Sequence, residues 1–289
     1  MPELVIVIVN YNAGNYLLGC LKSLDKLIDK IKLKIIVVDN ASVDDSIKNA
    51  KQEFPNIEFI LNQKNLGFAK ANNLVLNNLT TEYVLILNPD MILESGVLTK
   101  LLDYLVEHPE VGAITPEIIF ENGQVDRTAH RGFPTPWASF LYFLGNDRLY
   151  HLTDLDMTIP HEVDAITGAF FLTRKSVLDI VGVFDEDYFM YAEDLDLCFR
   201  IKQFGFKVIY FPAVSVVHYK GISSGLKSQT QHLSTADKQI KLRSLNYFYQ
   251  TMKIFYRKHL AINFPFFINW LVYLGINLRW YLAKRKMTV

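Results

Sequence analysis

The chain has 289 residues, half of them hydrophobic, and its 30 basic and 30 acidic side chains sum to a net charge of zero. This composition excludes a disordered or fibrous protein, and the zero net charge excludes nucleic-acid binding through bulk basicity. The charges are unevenly distributed, because Asp237 is the only acid after Asp196, whereas 15 of the bases lie there. Two cysteines, Cys20 and Cys198, are too few for a disulfide framework and fit a reducing, cytoplasmic compartment.

The first third of the chain predicts an alternation of strands and helices. Apolar, β-branched runs of strand length lie at residues 4–9, 34–38, 57–61 and 83–87. Segments of helical periodicity lie between them, at residues 16–28, 44–54 and 68–79. Continuous apolar strands are typical of a sheet buried on both faces. The repeated units therefore predict an α/β fold with a mostly parallel, Rossmann-like sheet flanked by helices.

Polar residues follow the predicted strands at the edge where such sheets bind their ligands. A carboxylate at Asp39, which ends the second strand, can accept hydrogen bonds from a nucleobase or from ribose hydroxyls. For Asp44, a little further on, helix capping is the preferred interpretation. Asp90, at the end of the Asn88-Pro89-Asp90 sequence, can hold a hard divalent cation whose other ligands are diphosphate oxygens and water. For this tripeptide taken alone, an ordinary turn is the preferred interpretation.

Beyond about residue 110 the alternation breaks. Residues 121–124 predict a hairpin turn, and residues 130–151 form an irregular aromatic stretch that contains proline. A strand at residues 169–173 precedes a helix that begins near Lys175. Later strands are predicted at residues 207–211 and 214–217.

An acidic segment at residues 185–196 holds six carboxylates in twelve residues. Residues 193–204 predict a helix that ends at Gly205. Asp196 and Arg200 are four residues apart and form an ordinary helical ion pair. Glu193 and Asp194 begin the helix, where its dipole favours negative charge. One of them can serve as a general base, and helix capping is the alternative.

His218 ends the last predicted strand and precedes residues 220–236, which are rich in Gly, Ser and Gln and are predicted to be mobile. A lone histidine is usually structural, but its strand-end position makes a metal or phosphate role credible.

The tail combines apolar, aromatic and basic residues. Residues 260–278 carry no charge, and basic residues flank them on both sides. The length is borderline for a membrane span. We therefore expect helices that lie in an anionic membrane interface on its cytoplasmic face. A true span is the second choice, and a helix packed on the catalytic domain, or on a second subunit of a homodimer, is the third. The expected division is a catalytic domain at 1–225 and a helical extension at 226–289.

Taken together, these motifs resemble the inverting family 2 glycosyltransferases of the GT-A fold, and most closely the rhamnosyltransferase-like branch that builds bacterial surface polysaccharides. The resemblance covers roughly residues 3 to 225. Its ordered motifs are Val9-Asn10-Tyr11-Asn12, Val38-Asp39-Asn40-Ala41-Ser42, Asn65-Leu66-Gly67-Phe68-Ala69, Leu87-Asn88-Pro89-Asp90, Gly168-Ala169-Phe170-Phe171, Phe184-Asp185-Glu186, Glu193-Asp194-Leu195-Asp196, and His218 with Gly221 and Ser223.

The resemblance implies a role for each matching position. Nucleotide-binding residues would be Asn10, Tyr11, Asp39, Asn65, Gly67 and Asn88. Asp90 would be the metal-binding carboxylate, with His218 completing the metal shell. Asp194 would be the base that deprotonates the acceptor, with Glu193 beside it. Asn88 replaces the first aspartate of the family's DxD motif, which removes a negative charge from this position.

The implied reaction is displacement at the anomeric carbon with inversion, assisted by Mn²⁺ or Mg²⁺. The donor would be a nucleotide-diphosphate sugar, either dTDP-L-rhamnose, which the branch suggests, or a UDP-sugar. The acceptor would be a lipid-linked saccharide. Two other classes remain open, a nucleotidyltransferase and a non-catalytic nucleotide-sugar-binding protein.

Overall fold

A computed structural model describes residues 3–27, 32–219 and 238–288. The segment predicted to be mobile, the expected domain division at 225/226, Gly221 and Ser223 all lie outside the described residues.

Eleven strands are found in the described part of the chain. They are β1 (Glu3–Asn10), β2 (Lys32–Asp39), β3 (Glu58–Leu61), β4 (Tyr83–Leu87), β5 (Met91–Ile92), β6 (Val111–Ile119), β7 (His130–Arg131), β8 (His161–Glu162), β9 (Ala165–Ile166), β10 (Phe170–Arg174) and β11 (Lys207–His218). The α-helices there are α1 (Asn15–Asp25), α2 (Ser46–Glu53), α3 (Phe68–Leu76), α4 (Val97–Glu107), α5 (Pro136–Phe143), α6 (Arg148–His151), α7 (Lys175–Val181), α8 (Glu193–Gln203), α9 (Lys238–Phe255) and α10 (Phe266–Thr288).

The main sheet confirms the predicted mostly parallel α/β architecture. Its order is β3-β2-β1-β4-β10-β6-β11-β5, with β8 paired to β11. Strands β1, β2, β3 and β4 run parallel, and β10 runs antiparallel to both β4 and β6. Two apolar cores, one on each face of this sheet, contain the alternating side chains of β1 and β4. These strands are buried on both faces, which explains their continuous apolar sequences.

The sheet brings the predicted site residues to one edge. Asn10 and Asp39 are paired at the carboxyl ends of β1 and β2. Since β10 is antiparallel to β4, the loop before β10 lies at the same edge, and the backbone N–H of Asn88 donates to the carbonyl of Ala169 at 2.9 Å. At the end of the strand order, β11 pairs with β5 and places His218 opposite Met91.

Two predictions about the middle of the chain need correction. The stretch at 130–151 is not irregular, because it holds β7, α5 and α6. Thr135 caps α5 by accepting from the N–H of Ala138, and Pro136 takes the first helical position, which suits proline. The two strands expected near residues 207–217 are one strand, β11, with a register shift between Phe211 and Ser215. The sequence pattern also gave no prediction for α4 and β6.

The C-terminal region begins by packing on the catalytic unit. After α9, a π-helical turn (Tyr256–Leu260) buries Tyr256 and Leu260, next to Phe255, in one of the two cores. His259 Nε2 lies 2.6 Å from Asp196 Oδ1. The following helix, α10, leaves many large apolar side chains exposed. None of the described helices is both long enough and apolar enough to span a bilayer.

Candidate active site

One side of the site is a network of short polar side chains. The side-chain nitrogen of Asn10 lies within 2.9 Å of Asp39 Oδ1, 3.0 Å of Ser42 Oγ and 2.9 Å of Ser46 Oγ. Asp39 also accepts from the backbone N–H of Ser42 at 3.0 Å and from its hydroxyl at 2.6 Å. The predicted residues Asn10 and Asp39 therefore hold each other in place, and Tyr11 lies half-buried beside them.

The Asn65–Gly67 segment is fixed against the same network. The side chain of Asn65 accepts from the N–H of Gly67, and Asn40 donates to the Gly67 carbonyl at 3.0 Å. Gly67 has φ of 84° and ψ of 175°, a conformation that is essentially restricted to glycine. A Cβ there would lie 2.3 Å from the carbonyl oxygen of Phe189. The glycine thus permits a close approach between this loop and the acidic segment.

Asp44 is not the N-cap residue of α2 as predicted, because Asp45 takes that position, but its side chain binds the first residue of the helix. One carboxylate oxygen accepts from the N–H and the hydroxyl of Ser46 at the start of α2. The other accepts from the N–H of Gly14 at 2.8 Å, which ties the β1–α1 loop to the β2–α2 loop.

Asp90 and His218 form a buried pair across β5 and β11. Asp90 Oδ1 and His218 Nε2 are 3.2 Å apart, and the two side chains are almost fully buried. The alignment of these atoms is not that of a hydrogen bond, so Asp90 Oδ1 and both ring nitrogens of His218 have no hydrogen-bond partner. Buried oxygen and nitrogen atoms left this way fit a divalent cation bound by one carboxylate and one imidazole.

Two protein ligands do not complete a metal shell. Among residues 3–27, 32–219 and 238–288, no cluster of three or more His, Cys, Asp or Glu side chains could hold a metal ion. A cation at Asp90 and His218 would therefore need ligands from a bound diphosphate and from water, as the sequence predicts. Asn88, two residues before Asp90, is half-buried at the same turn.

Glu193 and Asp194 enter the site through a strained turn. Tyr191 and Ala192 have φ values of 75° and 65°, and neither is glycine. Consecutive left-handed residues of this kind persist where the surrounding structure enforces them, often at functional sites. The turn starts α8 with both carboxylates buried at its N-terminus.

Asp194 is held by three donors. Arg131 Nη2 lies 2.8 Å from Oδ1, the N–H of Leu195 donates to the same oxygen, and the N–H of Gly168 donates to Oδ2 at 3.0 Å. Burial acts to lower the pKa of Arg131, but the charge of Asp194 outweighs it, so this pKa lies above its usual range. The pair is a buried ion pair that fixes the direction of the Asp194 carboxylate.

Glu193 lies in a different electrostatic environment from its neighbour. Burial raises the pKa of Glu193 to about 8, and the adjacent charge of Asp194 adds to this effect. Its Oε2 is buried and has no hydrogen-bond partner. At neutral pH Glu193 is therefore mostly protonated, which makes it a poor general base, whereas Asp194 is paired with a cation.

The structure thus brings Asn10, Asp39, Gly67, Asp90, His218, Glu193 and Asp194 to the strand edge that the sequence indicated. Sequence reasoning missed Arg131, which is 63 residues from Asp194 in the chain. No motif marks a single arginine in an aromatic stretch. The predicted Asp196–Arg200 pair is confirmed, at 2.9 Å.

Solved structures with the same architecture place the fold in the GT-A class. The similar structures include GalNAc-T7 with UDP, GalNAc and Mn²⁺ (TM-score 0.58, 17% identity, 75% of this chain and 43% of that chain). They also include the mannosyltransferase PcManGT from Pyrobaculum calidifontis with GDP-Man and Mn²⁺ (TM-score 0.55, 18% identity, 87% and 64%). At these identities the likeness establishes the fold.

The sequence profile of Glycosyl transferase family 2 matches residues 5–182, and the chain belongs to this family. It is a glycosyltransferase, as the resemblance of its motifs predicted. One similar protein is the N-acetylglucosaminyl-diphospho-decaprenol L-rhamnosyltransferase of Mycobacterium tuberculosis, 28% identical over 81% of each chain. Another is the rhamnosyltransferase WbbL of Escherichia coli K12, 28% identical over 74% of this chain and 82% of the relative.

Proposed function

We propose that this glycosyltransferase moves a sugar, with inversion, from a nucleotide-diphosphate donor to a hydroxyl of a lipid-linked saccharide. L-rhamnose from dTDP-L-rhamnose is the preferred donor sugar, because relatives that match most of the chain are named as rhamnosyltransferases. The acceptor class follows from the diphospho-decaprenol name of the mycobacterial relative. The working location is the cytoplasmic face of a membrane, to which the basic C-terminal helices would bind.

The buried Asp90–His218 pair is the observation that carries the proposal. These two side chains would hold Mn²⁺ or Mg²⁺, and their buried atoms have no other hydrogen-bond partner. A bound divalent cation would neutralise charge on the departing diphosphate. The network around Asn10 and Asp39, at the neighbouring strand ends, would receive the nucleoside.

Asp194 would be the general base. Its carboxylate is directed by Arg131 and by the N–H of Gly168. It would accept the proton of the acceptor hydroxyl as the oxygen attacks the anomeric carbon from the face opposite the diphosphate. Glu193, protonated next to it, would add no second negative charge to the buried site.

A donor and acceptor panel tests the proposal. Purified protein is incubated with dTDP-, UDP- and GDP-sugars, a polyprenyl-diphospho-N-acetylglucosamine acceptor and Mn²⁺, and NMR determines the anomeric configuration of the product. We expect one donor to react with inversion, and Asp194→Asn to remove turnover while nucleotide binding persists. Binding without transfer for every donor would support the binding-protein alternative. Release of pyrophosphate from a sugar phosphate and a nucleoside triphosphate would support a nucleotidyltransferase.

A further inference from the structure

Helix α5 presents an exposed aromatic face. Trp137, Phe140 and Leu144 follow one another at helical spacing, with exposed fractions of 61%, 51% and 64%, and Phe143 lies beside them. The rings of Trp137 and Phe140 stack with their centroids 5.8 Å apart. Ala138 is the one residue that α5 buries. Single exposed apolar residues are common, but a contiguous aromatic patch marks a surface that contacts something apolar.

Helix α10 presents a second exposed face of the same character. Phe266 and Trp270 are 83% and 61% exposed, and Leu274, Leu278 and Tyr281 continue the apolar face along the helix. The two helices meet, because the guanidinium of Arg279 lies 4.9 Å from the ring centroid of Phe143. Two segments more than a hundred residues apart in sequence thus contact each other.

We propose that α5 and α10 together form a single bilayer-docking surface, in which Trp137 and Phe140 enter the lipid interface alongside Phe266 and Trp270. The sequence alone assigned this contact to the C-terminal tail. The structure adds α5, which belongs to the catalytic unit.

The charge of the region favours an anionic bilayer over a second copy of the chain. Residues 238–289 contain ten bases and no acid. A twofold dimer through this surface would bring the same patch of each copy together, so bases would face bases. Anionic headgroups attract such bases, and aromatic side chains are favoured at the boundary between lipid and water.

Helix α6, which follows α5, is linked to Asp194 through Gly132 and Arg131. The N–H of Gly132 donates to the carbonyl of Tyr150 at 2.9 Å, and a Cβ on Gly132 would lie 2.2 Å from the carbonyl oxygen of Leu149. The preceding residue, Arg131, binds Asp194. A bilayer in contact with α5 would therefore lie on the acceptor side of the site. This last step rests on the proposed function, whereas the docking surface itself does not.

Vesicle flotation of the full-length protein tests the surface without any sugar chemistry. Trp137→Ser/Phe140→Ser should weaken partitioning into phosphatidylglycerol-containing vesicles by about 10-fold or more, because two large apolar side chains no longer leave water. The control, Ile180→Ser/Phe204→Ser, removes two comparably exposed side chains elsewhere and should bind as the wild type does. Arg285→Gln should weaken binding to anionic vesicles about 5-fold, in line with ~1 kcal/mol for each base.

Tryptophan fluorescence tests α5 with its own residues intact. The chain has three tryptophans, so Trp270→Phe/Trp280→Phe leaves Trp137 as the only reporter. We expect its emission to shift to the blue on anionic vesicles and to be quenched by brominated lipid chains. If the protein binds vesicles but the fluorescence of Trp137 is not quenched, the inference is overturned. Wild-type flotation of Trp137→Ser/Phe140→Ser, or a lipid-free dimer that this variant dissociates, would also overturn it.

A turnover comparison separates this inference from the proposed function. With a short-chain, water-soluble acceptor, Trp137→Ser/Phe140→Ser should work at the wild-type rate, and with the long-chain acceptor in vesicles it should be slower. If no acceptor reacts with any variant, the proposed function fails, while flotation and quenching still decide whether α5 docks. Equal slowing on both acceptors would contradict a docking role for these side chains.

Discussion

The two sides of the candidate active site differ in how completely their buried polar atoms are hydrogen-bonded. On the proposed donor side, the side chains of Asn10, Asp39, Ser42 and Ser46 bond to one another, and only the side-chain amide oxygen of Asn10 lacks a partner in this network. On the proposed metal and acceptor side, Asp90, His218 and Glu193 keep buried polar atoms without hydrogen-bond partners. A satisfied network is rigid by itself, whereas unpaired buried groups are costly until a ligand binds them. In the proposed function, the protein would preorganise the nucleoside pocket. Its ligands would complete the side with Asp90, His218, Glu193 and Asp194, here called the reacting edge.

The largest expected effect is at Asp194, the residue of the reacting edge whose two carboxylate oxygens both accept hydrogen bonds. Asp194→Asn should lower turnover about 10²–10⁴-fold, the usual contribution of a general base. Nucleotide binding measured by calorimetry should remain, because the proposed base contacts the acceptor. Glu193→Gln is the matched control and should keep substantial activity. An inactive Glu193→Gln beside an active Asp194→Asn would reverse the assignment.

Arg131 lies outside the predicted motifs, and its replacement tests whether its ion pair with Asp194 stabilises the protein. Arg131→Gln leaves Asp194 buried without its cation and should lower the free energy of unfolding by about 3–5 kcal/mol, measured by urea denaturation. Removing both charges in Arg131→Gln/Asp194→Asn should recover most of this stability but none of the activity. If the double variant is as unstable as Arg131→Gln, the loss does not arise from the ion pair.

Gly67 lies next to Phe189 of the acidic segment, and its replacement tests this close contact between the two sides of the site. Gly67→Ala should destabilise the protein by about 2–5 kcal/mol, because it combines backbone strain with a collision against Phe189. Gly182 is a matched control with nearly the same backbone angles, φ of 83° and ψ of 165°. A Cβ there would meet only a side-chain nitrogen of Arg200, at 3.4 Å. Equal melting temperatures for the two variants would show that the Phe189 contact adds nothing.

The smallest expected effect is a pH dependence of stability at Glu193. Its pKa is raised to about 8 in the folded protein, chiefly by burial. The folded state therefore binds a proton that the unfolded state releases near pH 4.5. This contribution to stability is complete below the unfolded pKa and is lost as the pH rises through about 8.

Glu193→Gln removes that titration. It should raise stability at pH 9 by about 1–3 kcal/mol and change it little near pH 4. Thermal melts of both proteins across this range give the measurement. Parallel pH profiles for the wild type and the variant would mean that Glu193 does not titrate as described.

Sequence patterns predicted the part of the molecule whose signals are local. Apolar runs specified β1, β2 and β4, and the polar residues at their ends gave Asn10 and Asp39. The roles of Asp90, Asp194 and His218 came from family resemblance, because spacing alone left a turn, helix capping and a structural histidine as alternatives. Arg131 was missed because its meaning depends on a contact with Asp194 that only the tertiary fold creates. Helix α5 was missed although Thr135 and Pro136 supply a start signal, because aromatic residues obscured its periodicity.

The most direct test concerns the proposed metal site at Asp90 and His218. It compares the metal-dependent binding of a nucleoside diphosphate to the wild type and to Asp90→Asn. With the wild type, Mn²⁺ should tighten binding of the preferred nucleoside diphosphate at least about 10-fold in calorimetry. Asp90→Asn and His218→Ala should lose this gain, and Asp194→Asn should keep it. Thermal melts confirm that each variant is folded. The same Mn²⁺-dependent gain in Asp90→Asn as in the wild type would contradict a metal site at the Asp90–His218 pair.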